Sequence, residues 1–384
     1  MKRKTILPGQ TIGILGGGQL GRMMAISARQ MGYRIAVLDP VEDCPCAQVA
    51  DIAIIANYDD PEGAKKMAAC ADVVTYEFEN VAVQTVEYLQ ENSYLPQGGR
   101  LLEITKDRLN EKAAIEKAGL PVVPHMPVRS EEELKAAIDE IGYPSVLKTT
   151  QGGYDGKGQY VLQSELDLKE ALPYIGKIPF ELEKWLPFEK EISVIVVRST
   201  AGETSVLPVA ENIHRHNILH HTLVPARIPE HLRNEATQHA LQLAEALELV
   251  GTLAVEMFVG TDGKVYVNET APRPHNSGHF SINACETSQF EQHIRAICGL
   301  PLASTQLLSP AIMINILGEH VQPVLDQIHL LKSAHLHLYG KDEAKTGRKM
   351  GHLTILGDSA DEAIERAEQL GIWKIEQEVG NIHD

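Results

Sequence analysis

LAVEMFVGTDGKVYVNET, residues 253–270, is the stretch that decides how this chain is read. Two runs rich in β-branched and aromatic residues flank Asp262-Gly263, the dipeptide that most strongly signals a two-residue hairpin turn. A turn there pairs Thr261 with Lys264, and the same register puts Glu256 opposite Glu269. Directly opposed side chains have Cβ atoms about 4.5–5.5 Å apart, where like charges destabilise a sheet. A hard divalent cation such as Mg²⁺, held by carboxylates and by substrate phosphates, turns that repulsion into a site. A bulge that slips the register, or one Glu turned to solvent, leaves no site.

Outward from the hairpin, the chain has 384 residues, too many for one ordinary core, and its size predicts two or three domains. Its 43% hydrophobic and 23% charged residues are those of a soluble globular protein. There is no run of 18 apolar residues, and the basic start (1–4) leads straight into a strand rather than a signal peptide, so a membrane is not expected and the cytoplasm is. Cys44, Cys46, Cys70, Cys285 and Cys298 are an odd number without framework spacing, which suits a reducing compartment. Cys44-Pro45-Cys46 has no second Cys or His pair at zinc spacing and reads as loop. The formal charge of −17 argues against a nucleic-acid partner and makes any basic cluster conspicuous.

The first segment is βαβ-like: strand 11–15, a glycine turn, a helix with Leu20, Met23, Met24 and Met31 at helical spacing, then strand 34–38. Strand 71–76 runs into Glu77-Phe78-Glu79-Asn80, and ligands of open α/β sheets collect beyond such strand ends. Gly16-Gly17-Gly18-Gln19-Leu20-Gly21 matches the dinucleotide fingerprint, with Asp39 as candidate ribose acceptor, and equally suits any phosphate on a helix N-terminus.

Pro96-Gln97-Gly98-Gly99 reads as a linker, followed by a helix over 106–118. The capping box Ser130-Glu131-Glu132-Glu133 opens a helix ending near Gly142, and strand 144–148 closes on Lys148. In GGYDGKGQ (152–159) the glycines leave backbone N–H groups open to an anion and Lys157 adds charge; a hairpin tip has the same composition. Residues 180–186 form a strand edge and turn, and Glu191 opens strand 192–198. In the amphipathic helix 230–250, Leu232, Ala236, Ala240, Leu243 and Leu247 form a core stripe. Strands 311–317, 335–339 and 353–356 with helix 360–370 make a small α+β lobe.

In this order the features resemble the ATP-grasp superfamily: an N-terminal α/β domain, a central lysine, a glycine-rich lid with a second lysine, a Glu-x-x-Leu hinge and two acidic residues flanking a β-turn. Within it, GGGQLGRM (16–23), YEFENV (76–81), TTQGGYDGKGQ (149–159), NETAPRPHNSGH (268–279) and YGKDEAKTGRKMGH (339–352) are similar to the carboxyaminoimidazole ribonucleotide synthetase family of purine biosynthesis. The resemblance covers nearly the whole chain. It implies a mixed α/β and α+β protein with the ATP-grasp fold: a Rossmann-like pre-ATP-grasp domain (1–105), an ATP-grasp domain (106–300, lid subdomain about 120–190) and a C-terminal α+β domain (301–384). The implied reaction joins bicarbonate to the amine of aminoimidazole ribonucleotide at the expense of ATP, with Mg²⁺, in a homodimer.

The resemblance also implies roles. Arg108, Lys148, the lid residues Gly153, Tyr154, Asp155, Gly156, Lys157, Gly158 and Gln159, the hinge Glu183-Lys184-Trp185-Leu186, Glu191, His214, Asn268 and Glu269 would contact ATP. Glu256 and Glu269 would hold Mg²⁺. His214 also lies in a stretch with His216, His220 and His221, where a surface position is the plain alternative. Arg273 and His275 would act on the one-carbon anion, for which a guanidinium fork is well matched, unless Arg273 serves a structural salt bridge. Asp155 and Lys157 are candidate proton carriers. Gln19, Leu20, Glu77 and Asn276 would line the nucleotide pocket, with Lys341, Arg348 and Lys349 on its phosphate.

Rival readings are a sibling ligase such as a formate-using glycinamide ribonucleotide transformylase or a biotin carboxylase, a nicotinamide oxidoreductase built on the first glycine motif, and a non-catalytic nucleotide-binding protein. The oxidoreductase leaves the hairpin carboxylates and the second glycine loop unexplained.

Overall fold

A computed structural model describes residues 4–153 and 157–373 of the chain. Near the N-terminus, β1 (Thr11–Leu15), β2 (Arg34–Asp39), β3 (Ile52–Ile55) and β4 (Val73–Tyr76) form a parallel sheet in the order β3-β2-β1-β4. β1 is buried along its whole length because both faces of a parallel sheet are covered, and so it reads as an unbroken apolar run. The helix Gln19–Gln30 buries Leu20, Met23 and Met24 in a core it shares with Phe290, Ile294 and Ile297 of the helix Gln289–Ile297, which ties this domain to the body of the protein. Met31, at the C-cap, packs partly buried against the same core.

The first glycine turn is filled from within. The Gly17 N–H donates to Asp39 Oδ2 at 2.7 Å, and the N–H groups of Gly18 and Gly21 both donate to the Glu77 carboxylate. Asp39 also accepts from the Tyr58 hydroxyl and the Val41 N–H, so it faces the turn and has no role left as a ribose acceptor. The N–H groups of Gly17, Gly18 and Gly21 are occupied by the protein's own carboxylates, and with Asp39 engaged there the dinucleotide reading of the motif falls. The backbone must pass close to its neighbours here: a Cβ on Gly17 would lie 2.1 Å from Cys44 Sγ and 2.9 Å from Asp39 Cβ. Gly17→Ala is therefore expected to cost about 1–3 kcal/mol through overpacking. Thermal unfolding checks this, and an unchanged melting temperature contradicts it.

A second, antiparallel sheet contains β5 (His125–Val128), β6 (Ser145–Thr149), β7 (Gln159–Leu162) and β8 (Phe180–Lys184), ordered β5-β8-β6-β7. The helix Glu131–Ile141 buries Leu134 and Ala137 against it. Half of the expected capping box is present: Ser130 Oγ accepts from the Glu133 N–H, while the Glu133 carboxylate reaches the N–H of Arg129 instead. The helix expected over 106–118 is Arg108–Lys117, which starts where the Asp107 side chain caps it by accepting from the N–H groups of Leu109 and Asn110; a short helix, Arg100–Thr105, precedes it.

The largest sheet contains β9 (Phe188–Arg198), β10 (Thr204–Val206), β11 (Ala210–Arg215), β12 (Ile218–Val224), β13 (Gly251–Gly260), β14 (Val265–Ala271), β15 (Ala311–Leu317), β16 (Ala334–Leu338) and β17 (Lys349–Leu356). Its order is β14-β13-β9-β11-β12-β15-β17-β16, with β10 on β9. Pairing of β12 with β15 carries the C-terminal strands into the same sheet, a junction that no local signal announces. The helix Glu230–Ala246 lays Leu232, Ala236, Ala240 and Leu243 on β9 and β13, and ends short of the expected 250 where Glu248 takes a left-handed φ of 51°.

Candidate active site

The hairpin of β13 and β14 closes differently from the expectation. The Gly260 N–H donates to the Lys264 carbonyl and the Gly263 N–H to the Gly260 carbonyl, each at 2.9 Å, with Gly263 at φ 76°. The loop is thus three residues, 261–263, a turn followed by a left-handed glycine, and Thr261 does not pair with Lys264. Val259 faces Val265 and Met257 faces Val267, one residue off the expected register. A bulge at Asn268 then restores it, so Glu256 does face Glu269. Two departures cancel, and the opposed carboxylates result from their sum.

Each carboxylate has a basic neighbour. Arg108 Nη1 lies 3.1 Å from Glu269 Oε2, and His275 Nε2 lies 3.0 Å from Glu256 Oε1. Burial, reinforced by the adjacent Glu269 charge, pushes Glu256 up to about 8. Burial opposes ionisation of Glu269 too, but Arg108 and Lys148 outweigh it and hold Glu269 below the ordinary carboxylate range. His275 is pushed well below the ordinary imidazole value by burial and by Arg273.

These groups stand on one wall of a cleft of about 640 Å³. The same cleft is lined by Gln19, Leu20, Glu77 and Glu79 from the first domain, by Arg108, Lys148, Gly153 and Gln159, and by Glu191, His214, Asn268, Arg273, Asn276 and Lys349. Of the four histidines in the 214–221 stretch, His214 lines it; its Nδ1 sits 2.5 Å from Glu191 Oε2, whose charge overcomes burial and raises the imidazole pKa. His220 and His221 are buried, with their Nδ1 atoms 2.8 Å apart. Glu77, expected on the cleft wall, is there, and its two carboxylate oxygens each accept one N–H of the glycine turn.

Several expected residues lie behind or beside the wall. Glu183 is buried, with Oε2 2.5 Å from Lys148 Nζ and Oε1 3.3 Å from Lys112 Nζ; burial opposes its charge, but the two lysines hold it well below the carboxylate range. Its side chain therefore anchors Lys148 rather than facing the cleft. Lys184 and Trp185 donate their N–H groups to the carbonyls of Pro124 and Pro144, with Leu186 next in the hinge. Lys157 and Gly158 form the turn into β7, where the Gly158 carbonyl accepts from the Thr149 N–H. Tyr154, Asp155 and Gly156 lie outside the described residues.

Arg273 lines the cleft, and its Nε sits 2.9 Å from Glu79 Oε1, the salt bridge of the rival reading. Asn276 exchanges two hydrogen bonds with Asn315 of β15, at 2.9 and 2.6 Å. Lys341 donates to the Lys349 carbonyl at 2.7 Å, and burial, with Arg348 next, lowers its pKa to about 8. Arg348 donates to the Glu343 carbonyl at 2.9 Å and stands off the wall that Lys349 lines. Glu111 was not foreseen. It lines the cleft one turn after Arg108, accepts from the N–H and hydroxyl of Thr270, and is pushed up to about 7, mainly by burial. Its spacing from Arg108 was the available signal.

The chain is similar to known proteins along nearly its whole length. Family models match as an ATP-grasp domain (residues 113–290), a ribonucleotide synthetase preATP-grasp domain (9–105) and a phosphoribosylaminoimidazole carboxylase C-terminal domain (311–366). The cleft between the second and third sheets is thus that of an ATP-grasp enzyme. The N5-carboxyaminoimidazole ribonucleotide synthase of Bacillus subtilis is 53% identical over 365 residues, 95% of this chain and 96% of that protein. The crystal structure of the Staphylococcus aureus N5-carboxyaminoimidazole synthetase with ADP has a TM-score of 0.92 at 42% identity, covering 96% of this chain and 98% of that one. The Aspergillus clavatus N5-carboxyaminoimidazole synthase in complex with ADP and 5-aminoimidazole ribonucleotide has a TM-score of 0.88 at 32% identity, covering 94% and 97%. The chain belongs to the N5-carboxyaminoimidazole ribonucleotide synthase family, ATP-dependent carbon–nitrogen ligases of purine biosynthesis.

Proposed function

We propose that this cleft carboxylates the amine of 5-aminoimidazole ribonucleotide with bicarbonate, consuming ATP and releasing ADP and phosphate. The observation that carries the reading is the Glu256–Glu269 rung lying beside the Arg273–His275 loop in one cavity, with Lys148 and Arg108 next to it. Lys148 and Arg108 would offset the charge of the ATP phosphates, and Glu191 would accept from the ribose hydroxyls. With the N–H groups of Lys184 and Trp185 engaged, an adenine edge that needs a backbone donor would take it from Leu186. Arg273 would orient bicarbonate by its planar fork, and His275 would stand between that anion and Glu256.

Glu256 and Glu269 are suited to Mg²⁺: their carboxylates oppose each other, and the charge of each disfavours that of its neighbour unless a cation intervenes. Among the described residues no cluster of three His, Cys, Asp or Glu is arranged for a metal ion, so the remaining ligands would be nucleotide phosphates and water. Bound there, the ion would neutralise charge that develops on the transferred phosphoryl group. The bicarbonate would become carboxyphosphate, which hydrolyses in water, so the closed cavity and the lid would protect it until the amine captures it or the CO₂ it releases.

Lys349 and Lys341 would receive the substrate's 5′-phosphate, with Arg348 behind them. This gives a pH dependence. The Lys341 pKa lies below its ordinary value, at about 8, so above that pH the side chain loses its proton and its attraction for phosphate. The kcat/KM for the nucleotide should fall on the alkaline side of about 8, and Lys341→Arg should move that fall to higher pH. Superimposable profiles would place Lys341 outside the phosphate site.

A homodimer, which light scattering would register, and a cytoplasmic setting belong to the same reading; no described helix is long and apolar enough to cross a membrane. Phosphate release measured with each acceptor omitted in turn tests the whole. The proposal requires product formation only when bicarbonate and aminoimidazole ribonucleotide are both present, whereas dependence on formate would indicate the transformylase.

A further inference from the structure

Gln289 lies outside the cleft wall and is fully buried at the start of the helix Gln289–Ile297. Its Oε1 accepts from the His275 N–H at 2.9 Å, and its Nε2 donates to the His275 carbonyl at 2.7 Å. The side-chain amide thus pairs with both backbone groups of one residue, as a neighbouring strand would. Its orientation is settled by those partners, since a backbone N–H only donates and a carbonyl only accepts. Nε2 also lies 3.1 Å from His279 Nδ1, and the Gln289 N–H donates to Ser281 Oγ, which donates in turn to the Gly278 carbonyl. Gly278 leaves the space this requires: a Cβ there would stand 2.5 Å from Gln289 Oε1.

The residue so gripped is the one whose side chain meets the carboxylate rung. His275 Nε2 is 3.0 Å from Glu256, its Nδ1 is 2.9 Å from Ser277 Oγ, and Arg273 and Asn276 flank it on the same loop. Swinging the loop would break two hydrogen bonds to the fully buried Gln289, and a buried unpaired backbone group is costly. We propose that Gln289 is a positioning residue that fixes the 273–276 loop against the Glu256–Glu269 rung, so that the activated one-carbon species meets the amine rather than water. The proposal rests on the carboxylase reading of the cleft. Misplacement of reacting groups by about 1 Å can cost roughly 100-fold in rate, so such a clamp acts without touching substrate.

The test uses Gln289→Glu, which keeps the acceptor and loses the donor to the His275 carbonyl, and Gln289→Asn, which is too short to reach both groups. ADP release and carboxylated nucleotide are measured together, beside the wild type, and rates are divided by the fraction of protein that binds ADP. The expected result is unchanged ADP affinity in that fraction, a carboxylation rate down by about tenfold or more, and ADP released in excess of product. Variants whose ADP and product stay matched as in the wild type overturn the proposal. So does loss of ADP binding in step with turnover, which would make Gln289 a residue of the fold alone. Wild-type protein that releases ADP without carboxylated product would instead overturn the underlying reading, a pattern distinct from either.

Discussion

Glu269→Gln loses turnover by two to three orders of magnitude while the protein stays folded; that is the largest single effect the site predicts. The volume of the side chain is kept, so the β13–β14 hairpin and the bulge at Asn268 are undisturbed. The amide oxygen introduced at position 269 can still accept from Arg108, whose side chain is 13% exposed against 40% for Glu269, so the hydrogen bond is kept while the charge is lost. Relief of repulsion with Glu256 works in the opposite direction, so the melting temperature should hardly move. A chemical effect is expected instead: one of two carboxylates facing the triphosphate region becomes neutral, and a cation shared with phosphate loses a charged ligand. Steady-state ADP release and thermal unfolding on the same sample check both halves, and undiminished activity would remove Glu269 from the metal role.

The second large effect belongs to Arg273. Arg273→Lys keeps the charge but loses the planar fork, and the expected outcome is a KM for bicarbonate raised by about tenfold or more with the KM for ATP unchanged. Arg273→Ala should go further, with kcat reduced by about 100-fold, because the anion is no longer held in line with the amine. The ion pair of Arg273 with Glu79 joins the end of β4 to the loop after β14, so Glu79→Gln is an informative companion. If Arg273 were only a structural tie, Glu79→Gln would reproduce the kinetics of Arg273→Ala. If it holds the anion, Glu79→Gln should have the milder effect. Initial rates with bicarbonate varied at saturating ATP separate these outcomes.

Much of the site was legible because its signals are local. The two carboxylates of the hairpin, the lysine next to last in β6 and the histidine and arginine after β14 all follow from short runs of residue type and spacing. The hairpin also shows the limit of such reading. Asp262-Gly263 announces a turn, but whether two or three residues close it depends on Gly263 adopting a left-handed φ, and at the bulge the Val267 N–H donates to the Pro121 carbonyl and Lys112 to the Asn268 carbonyl, contacts from distant parts of the chain. The opposition of Glu256 and Glu269 survived because the two shifts have opposite sense.

What stayed hidden is carried by contacts between residues far apart in the chain. Asp39 and Glu77 read as ligand groups, since nothing local shows that they fold back onto the N–H groups of Gly17, Gly18 and Gly21. Glu183 sits in a hinge motif, yet its side chain turns inward between Lys148 and Lys112. Gln289 and Asn315 hold the 275–276 segment from a helix and a strand that come later in the chain, and a single amide side chain has no periodicity to reveal it.

The most direct measurement of the central claim is a crystal structure of the protein with ADP and magnesium. The account predicts one ion bound by oxygens of both Glu256 and Glu269 at about 2.0–2.1 Å and sharing a phosphate oxygen of the nucleotide. An ion held by other residues, or a nucleotide bound away from the β13–β14 rung, would contradict it.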